Sequence, residues 1–455
     1  MLGDLLMISV ALGVALWQRI PWVSSVYPDW RALLIVELRW WLLLWALWIP
    51  AAITADCYSL PRAASTVNSV IHTAACALVV ALVYLLIPGI SAPLTYSRLS
   101  WFLFALLAMG GVGAWRAIYG LAISQRSFTR RVIVVGAGTS GRAFAGAVDA
   151  AYGATGIELV GFVDDDPDLL GQSVLGRRVL ADSDRLLTLT EQYDVDEVVV
   201  AVTNPHSMSP DLIGALVRCW EQGVSIVPMS AYFETVTGAV PVKHLGQDLF
   251  ALVGNQDQVP MRVWLAIRRL IDIVVALVGL LAVALLTPLV WVAMAIDGPG
   301  PLFYLQTRVG RGGQTFRIIK FRSMIPHAEP NGATWASLDD PRVTRLGKVL
   351  RKTRIDELPQ FVNVLLGSMT LIGPRPERPE FVEQLGTLLP YYAIRHSVKP
   401  GLTGWAQVFY HYGNSVEDAL AKLQYDLYYV KHRGPVLDAL IALHTLRVLA
   451  TLRGV

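Results

Sequence analysis

Four apolar segments fill the first quarter of the chain: about Leu5–Ile20, Leu33–Thr54, Ser69–Ile90 and Leu99–Ala122. Each approaches the ~20 residues that a helix needs to cross a bilayer. Four such segments in a row exclude an ordinary soluble fold for this region. Trp17, Trp22, Trp30, Trp40, Trp41, Trp45, Trp48, Trp101 and Trp115 cluster here, as an interfacial aromatic belt requires. Glu37 and Arg39 fall in the second segment; an isolated charge in lipid is costly, so both are expected near an interface or paired. After the fourth segment come Arg116, Arg126, Arg130 and Arg131. They place that end in the cytoplasm, and an even number of spans brings the N-terminus to the same side. Arg19 and Arg31 in the first loop weigh the other way. No small-residue cleavage site follows Met1, so the first segment is expected to be a retained anchor. Cys57, Cys76 and Cys219 have no metal-ligand spacing and make no disulfide framework. With 455 residues, 54% hydrophobic and 16% charged, the chain is expected to be a multidomain membrane protein of about three domains.

Residues 131–232 change character. Val132–Val135 reads as a short buried strand, followed by Gly136-Ala137-Gly138-Thr139-Ser140-Gly141 and a small-residue helix. Further strands are predicted at Glu158–Val163, Glu197–Val202 and Val224–Pro228 with helical stretches between them. That alternation implies a parallel, doubly wound sheet. The glycines lie between strand and helix, where a Rossmann fingerprint belongs, and Asp164 stands after the next strand as a candidate ribose ligand. Gly136, Gly138, Gly141 and Asp164 are therefore a candidate nucleotide site. A docking or regulatory module with an empty pocket is an equal reading. A hydride-transfer role is weaker, because no Tyr-x-x-x-Lys set follows.

A third region opens with Arg262, Arg268 and Arg269 and an apolar run from Leu270 to Ile296 that contains Pro288. Hydropathy alone scores this run as a fifth span. Spanning would put the rest of the chain on the outer face, away from nucleotide substrates. A helix bent at Pro288, entering and leaving on one side, keeps both flanks cytoplasmic. The expected division is four transmembrane helices in 1–122, a Rossmann-like α/β module in 123–255, and a mostly α-helical, membrane-associated catalytic domain in 256–455 with a re-entrant helix at about 263–297.

Between Arg308 and Glu357 there are eleven basic residues against five acidic ones, an excess that suits a polyanionic ligand, an anionic membrane surface, or both. The run ends in Arg351-Lys352-Thr353-Arg354-Ile355-Asp356-Glu357-Leu358-Pro359-Gln360. An acidic pair among cations offers a carboxylate nucleophile, an Mg2+ anchor and phosphate ligands. The plainer reading is a helix start, with Asp356 as N-cap and Leu358, Phe361, Val362 and Leu365 at helical spacing. Gly373-Pro374-Arg375-Pro376 shifts the balance, because two prolines hold one arginine in a stiff segment where its fork can grip phosphate.

With these residues the chain resembles the bacterial sugar transferase family, the polyprenyl-phosphate hexose-1-phosphate transferases of exopolysaccharide and O-antigen initiation. The likeness covers roughly Met261–Val455. It rests on Gln306–Gly310, Lys320–Met324, Asp340–Thr344, Ile355–Gln360, Gly373–Pro376 and Lys399–Gly404, in that order. The resemblance implies that Asp356 attacks the β-phosphate of a UDP-sugar, expels UMP and holds the sugar phosphate until polyprenyl phosphate takes it. It implies that Glu357 helps place Mg2+ or assists the lipid phosphate, with the metal on Asp356, Glu357 or both. Arg375, with Lys320, Arg322 and Arg354, would neutralise phosphate oxygens. Asp340 and Arg342 serve either the site or the fold. The implied partners are the UDP-sugar, polyprenyl phosphate and membrane lipids, with no nucleic acid; a long anchored chain with a docking module is also expected to self-associate as a homodimer. The expected location is the bacterial inner membrane, multi-pass, with the catalytic domain on the cytoplasmic face. Glucose is the expected sugar by analogy alone.

Three rivals remain. Asp164-Asp165-Asp166-Pro167-Asp168 matches the Asp-Asp-x-x-Asp pattern of prenyl-transferring enzymes, although it follows a strand where acidic turn residues are common. The α/β module could modify nucleotide sugars. The whole chain could be a non-enzymatic scaffold of polysaccharide assembly. The last two leave the ordered blocks after Met261 unexplained.

Overall fold

The computed structural model describes residues 1–55, excluding 18–29, together with 57–58, 66–86, 98–123, 130–150, 157–202, 208–244, 259–326, 328, 340–410 and 415–450. They form two compact units, Met1–Tyr232 and Phe233–Val455.

In the first unit, four apolar helices stand where the hydropathy predicts them: α1 (Leu2–Trp17), α2 (Trp30–Thr54), α3 (Thr66–Leu86) and α4 (Arg98–Ile123). Alanines 11, 15, 52, 77, 81 and 108 line their shared core with Leu12, Leu44, Trp48, Tyr84 and Phe104; small side chains let helices approach closely. Leu6, Val10, Leu42, Ile71, Val79 and Phe102 face outward, so the bundle is apolar inside and out. By length and composition the Phe102–Tyr119 stretch is sufficient to cross a membrane, whereas Leu2–Leu16, Leu38–Ile53 and Ser69–Leu85 are shorter apolar stretches.

Trp40, Trp41, Trp45 and Trp48 of α2 pack into the bundle. Trp40 and Trp48 are buried, Trp45 donates to Ser9 Oγ at 2.8 Å and Trp48 to Tyr58 Oη at 3.1 Å. Arg116 is not a flanking charge. It lies inside the bundle with its Nε and Nη2 on the Asp4 carboxylate at 3.0 and 2.7 Å, the pairing that an ion needs in an apolar setting. Arg130 and Arg131 open a strand and pair with Glu197 and Glu158. Arg39 lies 4.3 Å from the Trp40 ring. Arg19, Trp22 and Arg126, and the side chains of Trp17, Trp30, Arg31, Glu37 and Trp101, lie outside the described residues.

The α/β part runs β1 (Arg130–Val135), α5 (Thr139–Ala150), β2 (Ile157–Val163), β3 (Ser173–Val174), β4 (Arg177–Ala181), α6 (Leu186–Gln192), β5 (Glu197–Val200), α7 (Pro210–Glu221), β6 (Ser225–Pro228) and α8 (Met229–Thr237). The sheet order is β3-β4-β2-β1-β5-β6, parallel except for the β3–β4 hairpin. That hairpin escapes a periodicity reading because Arg177-Arg178 interrupts any apolar run. Its turn residues Leu175 and Gly176 both have positive φ, 49° and 78°, as tight hairpin turns require. β2 and β5 flank β1 on opposite sides, so the strand order reverses at the carboxyl end of β1, where the glycine loop sits.

The second unit contains α9 (Val259–Asp297), the hairpin β7 (Phe303–Val309) and β8 (Thr315–Phe321), α10 (Arg345–Lys352), α11 (Phe361–Leu366), β9 (Thr370–Ile372), α12 (Pro379–Leu388), β10 (Gly401–Thr403), α13 (Trp405–Phe409), α14 (Val416–His432) and α15 (Pro435–Ala450). The chain from Phe233 to His244 packs here, earlier than the expected boundary at 255. Val240 and Val242 join a core with Leu385, Tyr392, Leu423 and Leu427, and buried Glu234 bonds Lys431 at 2.9 Å and His432 at 2.8 Å.

Helix α9 is continuous through Pro288, and the Thr287 hydroxyl donates to the Val283 carbonyl at 2.6 Å. Asp272, Ala276, Val283, Val290 and Met294 are buried along it, one stripe at helical spacing. Leu270, Val274, Val278, Leu281, Leu285, Leu289 and Ile296 remain exposed. Near its start, Arg269 donates to the carbonyls of Val364 and Leu365, both at 2.7 Å, and Asp272 accepts from Thr370 Oγ1 and Leu371 N. At its end, Asp297 accepts from Leu346 N at 3.3 Å. Both ends of the apolar run are therefore tied to the same unit. Gly279 lets the Phe361 ring lie against α9, since a Cβ there would stand 2.4 Å from that ring. Gly279→Ala is expected to destabilise the second unit by about 1–3 kcal/mol. Thermal unfolding would check this, with Phe361→Leu in the same background recovering part of the loss.

Candidate active site

A turn of 3₁₀ helix, Ile355–Gln360, brings the acidic pair into the second unit. Arg354 precedes it in the left-handed region at φ 59°, which turns the chain sharply out of α10. Asp356 and Glu357 are both buried. Asp356 stands in the first turn of this helix but is not its N-cap: Arg354 holds the cap position without a side-chain cap bond, and Asp356 Oδ1 is buried without a hydrogen-bond partner. A buried carboxylate oxygen left without a partner is costly.

Glu357 is the opposite case. Its Oε1 accepts from Lys320 Nζ at 2.8 Å and Arg375 Nη2 at 2.9 Å, and its Oε2 lies 3.5 Å from Arg354 Nη1. Burial pushes its carboxyl up, but Lys320, Arg375 and Arg354 outweigh that and hold it well below the usual range. Burial, reinforced by the neighbouring Glu357 charge, pushes Asp356 up to about 6. Two adjacent carboxylates thus have pKa values driven apart, as groups with separate roles often do.

Each cation comes from a different element. Lys320 is on β8, whose edge Asn363 of α11 holds with both ends of its amide: its Nδ2 donates to Arg317 O at 2.7 Å and its Oδ1 accepts from Ile319 N at 3.1 Å. Arg375 follows β9 and also donates to Gln407 Oε1 at 3.3 Å. Its side chain stays 41% exposed, enough to meet a ligand. Of the predicted residues, Asp356, Glu357, Lys320, Arg354 and Arg375 converge. Arg322 does not join them. Its guanidinium is on the carbonyls of Gly298 and Pro299, closing the end of α9. Asp340 and Arg342 pair with each other, Asp340 Oδ1 accepts the Arg342 amide at 3.0 Å, and the Arg342 carbonyl accepts Ile325 N at 2.9 Å.

In the first unit the glycine loop has Rossmann geometry. Gly136 has φ 103°, and a Cβ on Gly141 would fall 1.9 Å from Gly136 O. Asp164 Oδ2, however, accepts the Ala137 amide at 2.6 Å, a donor that a bound phosphate would otherwise use. The acidic run after β2 closes its own turns. Asp164 Oδ1 takes Asp166 N, Asp166 takes Asp168 N and Asp165 takes Ser183 N. Among the described residues no group of three His, Cys, Asp or Glu side chains is placed to hold a metal, which removes the support for an Asp-Asp-x-x-Asp metal site.

Comparison with known proteins agrees with the second unit. The bacterial sugar transferase family model matches residues 263–452, and a CoA-binding domain model matches 53–229. A Caulobacter vibrioides UDP-glucose:undecaprenyl-phosphate glucose-1-phosphate transferase is 38% identical over 40% of this chain and 70% of its own length. The chain belongs to the bacterial sugar transferase family. Other relatives in the family include an Aeromonas hydrophila UDP-N-acetylgalactosamine-undecaprenyl-phosphate N-acetylgalactosaminephosphotransferase, 40% identical over 56% of this chain and 59% of its own length. A third is an Escherichia coli (strain K12) UDP-glucose:undecaprenyl-phosphate glucose-1-phosphate transferase, 40% identical over 36% of each chain. The Aeromonas and Escherichia matches thus span less than two thirds of those relatives' lengths. The family's ordered blocks carry Asp356, Glu357, Lys320 and Arg375. Sequence reasoning missed Asn363, whose signal is a polar residue inside an otherwise apolar helical run, and gave no role to Gln407, which stands in the family-like block Thr403–Val408.

Proposed function

We propose that this chain transfers a hexose-1-phosphate from a UDP-sugar to polyprenyl phosphate, releasing UMP, as a first membrane step of surface polysaccharide synthesis. The observation that carries the reading is a buried, unpartnered Asp356 oxygen beside three cations already gathered on Glu357. Asp356 bonds to the β-phosphorus, and the bridging P–O bond breaks so that its oxygen leaves with UMP. An oxygen of polyprenyl phosphate then attacks the same phosphorus, and the Asp356 carboxylate is released. Arg375, Arg354 and Lys320 neutralise phosphate oxygens as charge builds, while Glu357 holds them in place. A magnesium ion takes one or two carboxylates together with substrate phosphate oxygens and water. The open Asp356 oxygen fits that donor set, whereas Glu357, ringed by cations, does not. When bound, the ion would supply charge neutralisation on the diphosphate.

The two tied ends of α9 support a one-sided membrane insertion, since its start and finish rest on one unit although ~42 Å of helix separates Arg269 from Asp297. That arrangement keeps the site on the face where nucleotide sugars are made. The relatives named above act on glucose and on N-acetylgalactosamine, so the sugar is a hexose of one of these two kinds.

The test follows label from UDP-glucose or UDP-N-acetylgalactosamine, labelled in the sugar, into organic extract in the presence of polyprenyl phosphate and Mg2+. Label in lipid with UMP release supports the reading; no transfer from either donor by folded protein refutes it. A pH profile adds a second check. Asp356 must be ionised to attack, and its pKa is about 6. Single-turnover transfer should therefore rise ~10-fold per pH unit below that value and level off above it. A rate flat from pH 5 to 7 would remove Asp356 as the titrating nucleophile.

A further inference from the structure

Pro374 and Pro376 have no backbone N–H, so the segment that carries Arg375 can be held mainly through its carbonyls. The structure holds four in succession. Pro374 O accepts from Gly401 N at 2.9 Å and Glu377 O from Val309 N at 2.9 Å. Between them, Arg375 O accepts from Arg395 Nη2 at 3.0 Å and Pro376 O from Arg308 Nη1 at 3.1 Å. The two central carbonyls are thus gripped by side chains and not by a strand partner. We infer that Arg395 and Arg308 are positioning residues for Arg375, with Asp426 orienting Arg395. The inference rests on the reading above that Arg375 meets substrate phosphate.

Arg395 and Asp426 are 5% and 2% exposed. Arg395 puts Nε and Nη2 on Asp426 Oδ2 at 3.1 and 2.7 Å and Nη1 on Tyr392 Oη at 2.7 Å. A buried ion pair seldom stabilises a fold more than a well-packed apolar pair would. What an apolar pair lacks is the further donor that reaches Arg375 O. The guanidinium cannot turn away, because its fork is fixed on Asp426 and Tyr392 at once. On the other side, Gly373 N donates to Thr403 O at 2.8 Å, and a Cβ on Gly401 would stand 2.1 Å from Gly373 N. Arg375 therefore leaves a backbone fixed on both flanks, so its guanidinium meets Glu357 without first having to order its own chain. Arg395 lies outside every sequence block that marks the family.

The test uses the full-length protein and the paired substitution Arg395→Met with Asp426→Leu, which removes both charges and keeps the volume. Transfer should fall ~100-fold in kcat, the scale of a misplacement of about 1 Å in a catalytic group, with a smaller change in KM for the UDP-sugar. In an Arg375→Ala background the same pair should cost less than about threefold, because its effect passes through Arg375. Equal losses in both backgrounds would overturn the inference. Hydrogen exchange gives a readout that needs no activity. Amides of 370–378 should exchange faster in the paired variant while α14 stays protected, and unchanged exchange over 370–378 would overturn the inference by itself. An inactive wild type with faster exchange in the variant would refute the proposed transfer reaction and leave the positioning role of Arg395 standing.

Discussion

Asp356→Asn is expected to lower sugar-phosphate transfer by roughly ten-thousand-fold or more while the protein stays folded. The amide keeps the shape of the side chain and loses the electron pair that bonds to phosphorus. The fold should not suffer, because Asp356 caps no helix and its Oδ1 has no hydrogen-bond partner to lose. Linkage points the same way. A carboxyl whose folded pKa is raised from 3.8 to about 6 contributes its stability below the unfolded value, and that stability is lost as pH rises through the folded one. At pH 7 the ionised side chain is a net cost to folding, so the asparagine variant should melt at the same temperature or higher. Activity is read from labelled lipid and stability from thermal unfolding of the same preparation. A variant that melts well below wild type would show that Asp356 is structural.

Glu357→Gln should differ in kind, losing both activity and stability. Glu357 is the shared acceptor of Lys320 and Arg375 and the ion-pair partner of Arg354. Removing its charge leaves the buried Lys320 ammonium uncompensated, which costs about 3–5 kcal/mol. Arg375 loses its stop at the same time, and transfer should fall by roughly 100- to 1,000-fold. Lys320→Met combined with Glu357→Leu separates the two effects. That pair should recover much of the stability, because the buried ammonium is removed with its partner while Arg354 and Arg375 are partly exposed to solvent, and none of the activity. Recovery of transfer in the double variant would mean that Lys320 and Glu357 act only as a structural pair.

The second unit was legible in outline from sequence because its chemistry is concentrated in short blocks. Gly373-Pro374-Arg375-Pro376 announces a stiff, cation-bearing segment, and the structure brings Arg375 to Glu357. The partition of the acidic pair was not legible. Adjacent carboxylates look alike in a sequence, and only burial and the position of three cations separate Glu357, saturated, from Asp356, left open. Arg322 lies in a block beside Lys320, and strand alternation would put both on one face, but β8 ends at Phe321 and the Arg322 guanidinium goes to the carbonyls at the end of α9. In the first unit, four apolar helices and the β1–Gly loop–α5 unit follow from hydropathy and glycine spacing. The Asp4–Arg116 pair does not follow from either, since it joins residues more than a hundred positions apart. Arg116 read as a flank charge for that reason. The β3–β4 hairpin and the Asp164–Ala137 bond were likewise hidden, because each depends on local turn geometry more than on composition.

The most direct test of the account omits the lipid acceptor. Protein incubated with a UDP-sugar and Mg2+ alone should release UMP and retain the sugar phosphate, and digestion should place that added mass on the peptide that contains Asp356. The account predicts this adduct in wild type and its absence in Asp356→Asn. Full transfer to lipid by an Asp356→Asn protein, or transfer in wild type with no adduct on that peptide under any chase, would contradict it.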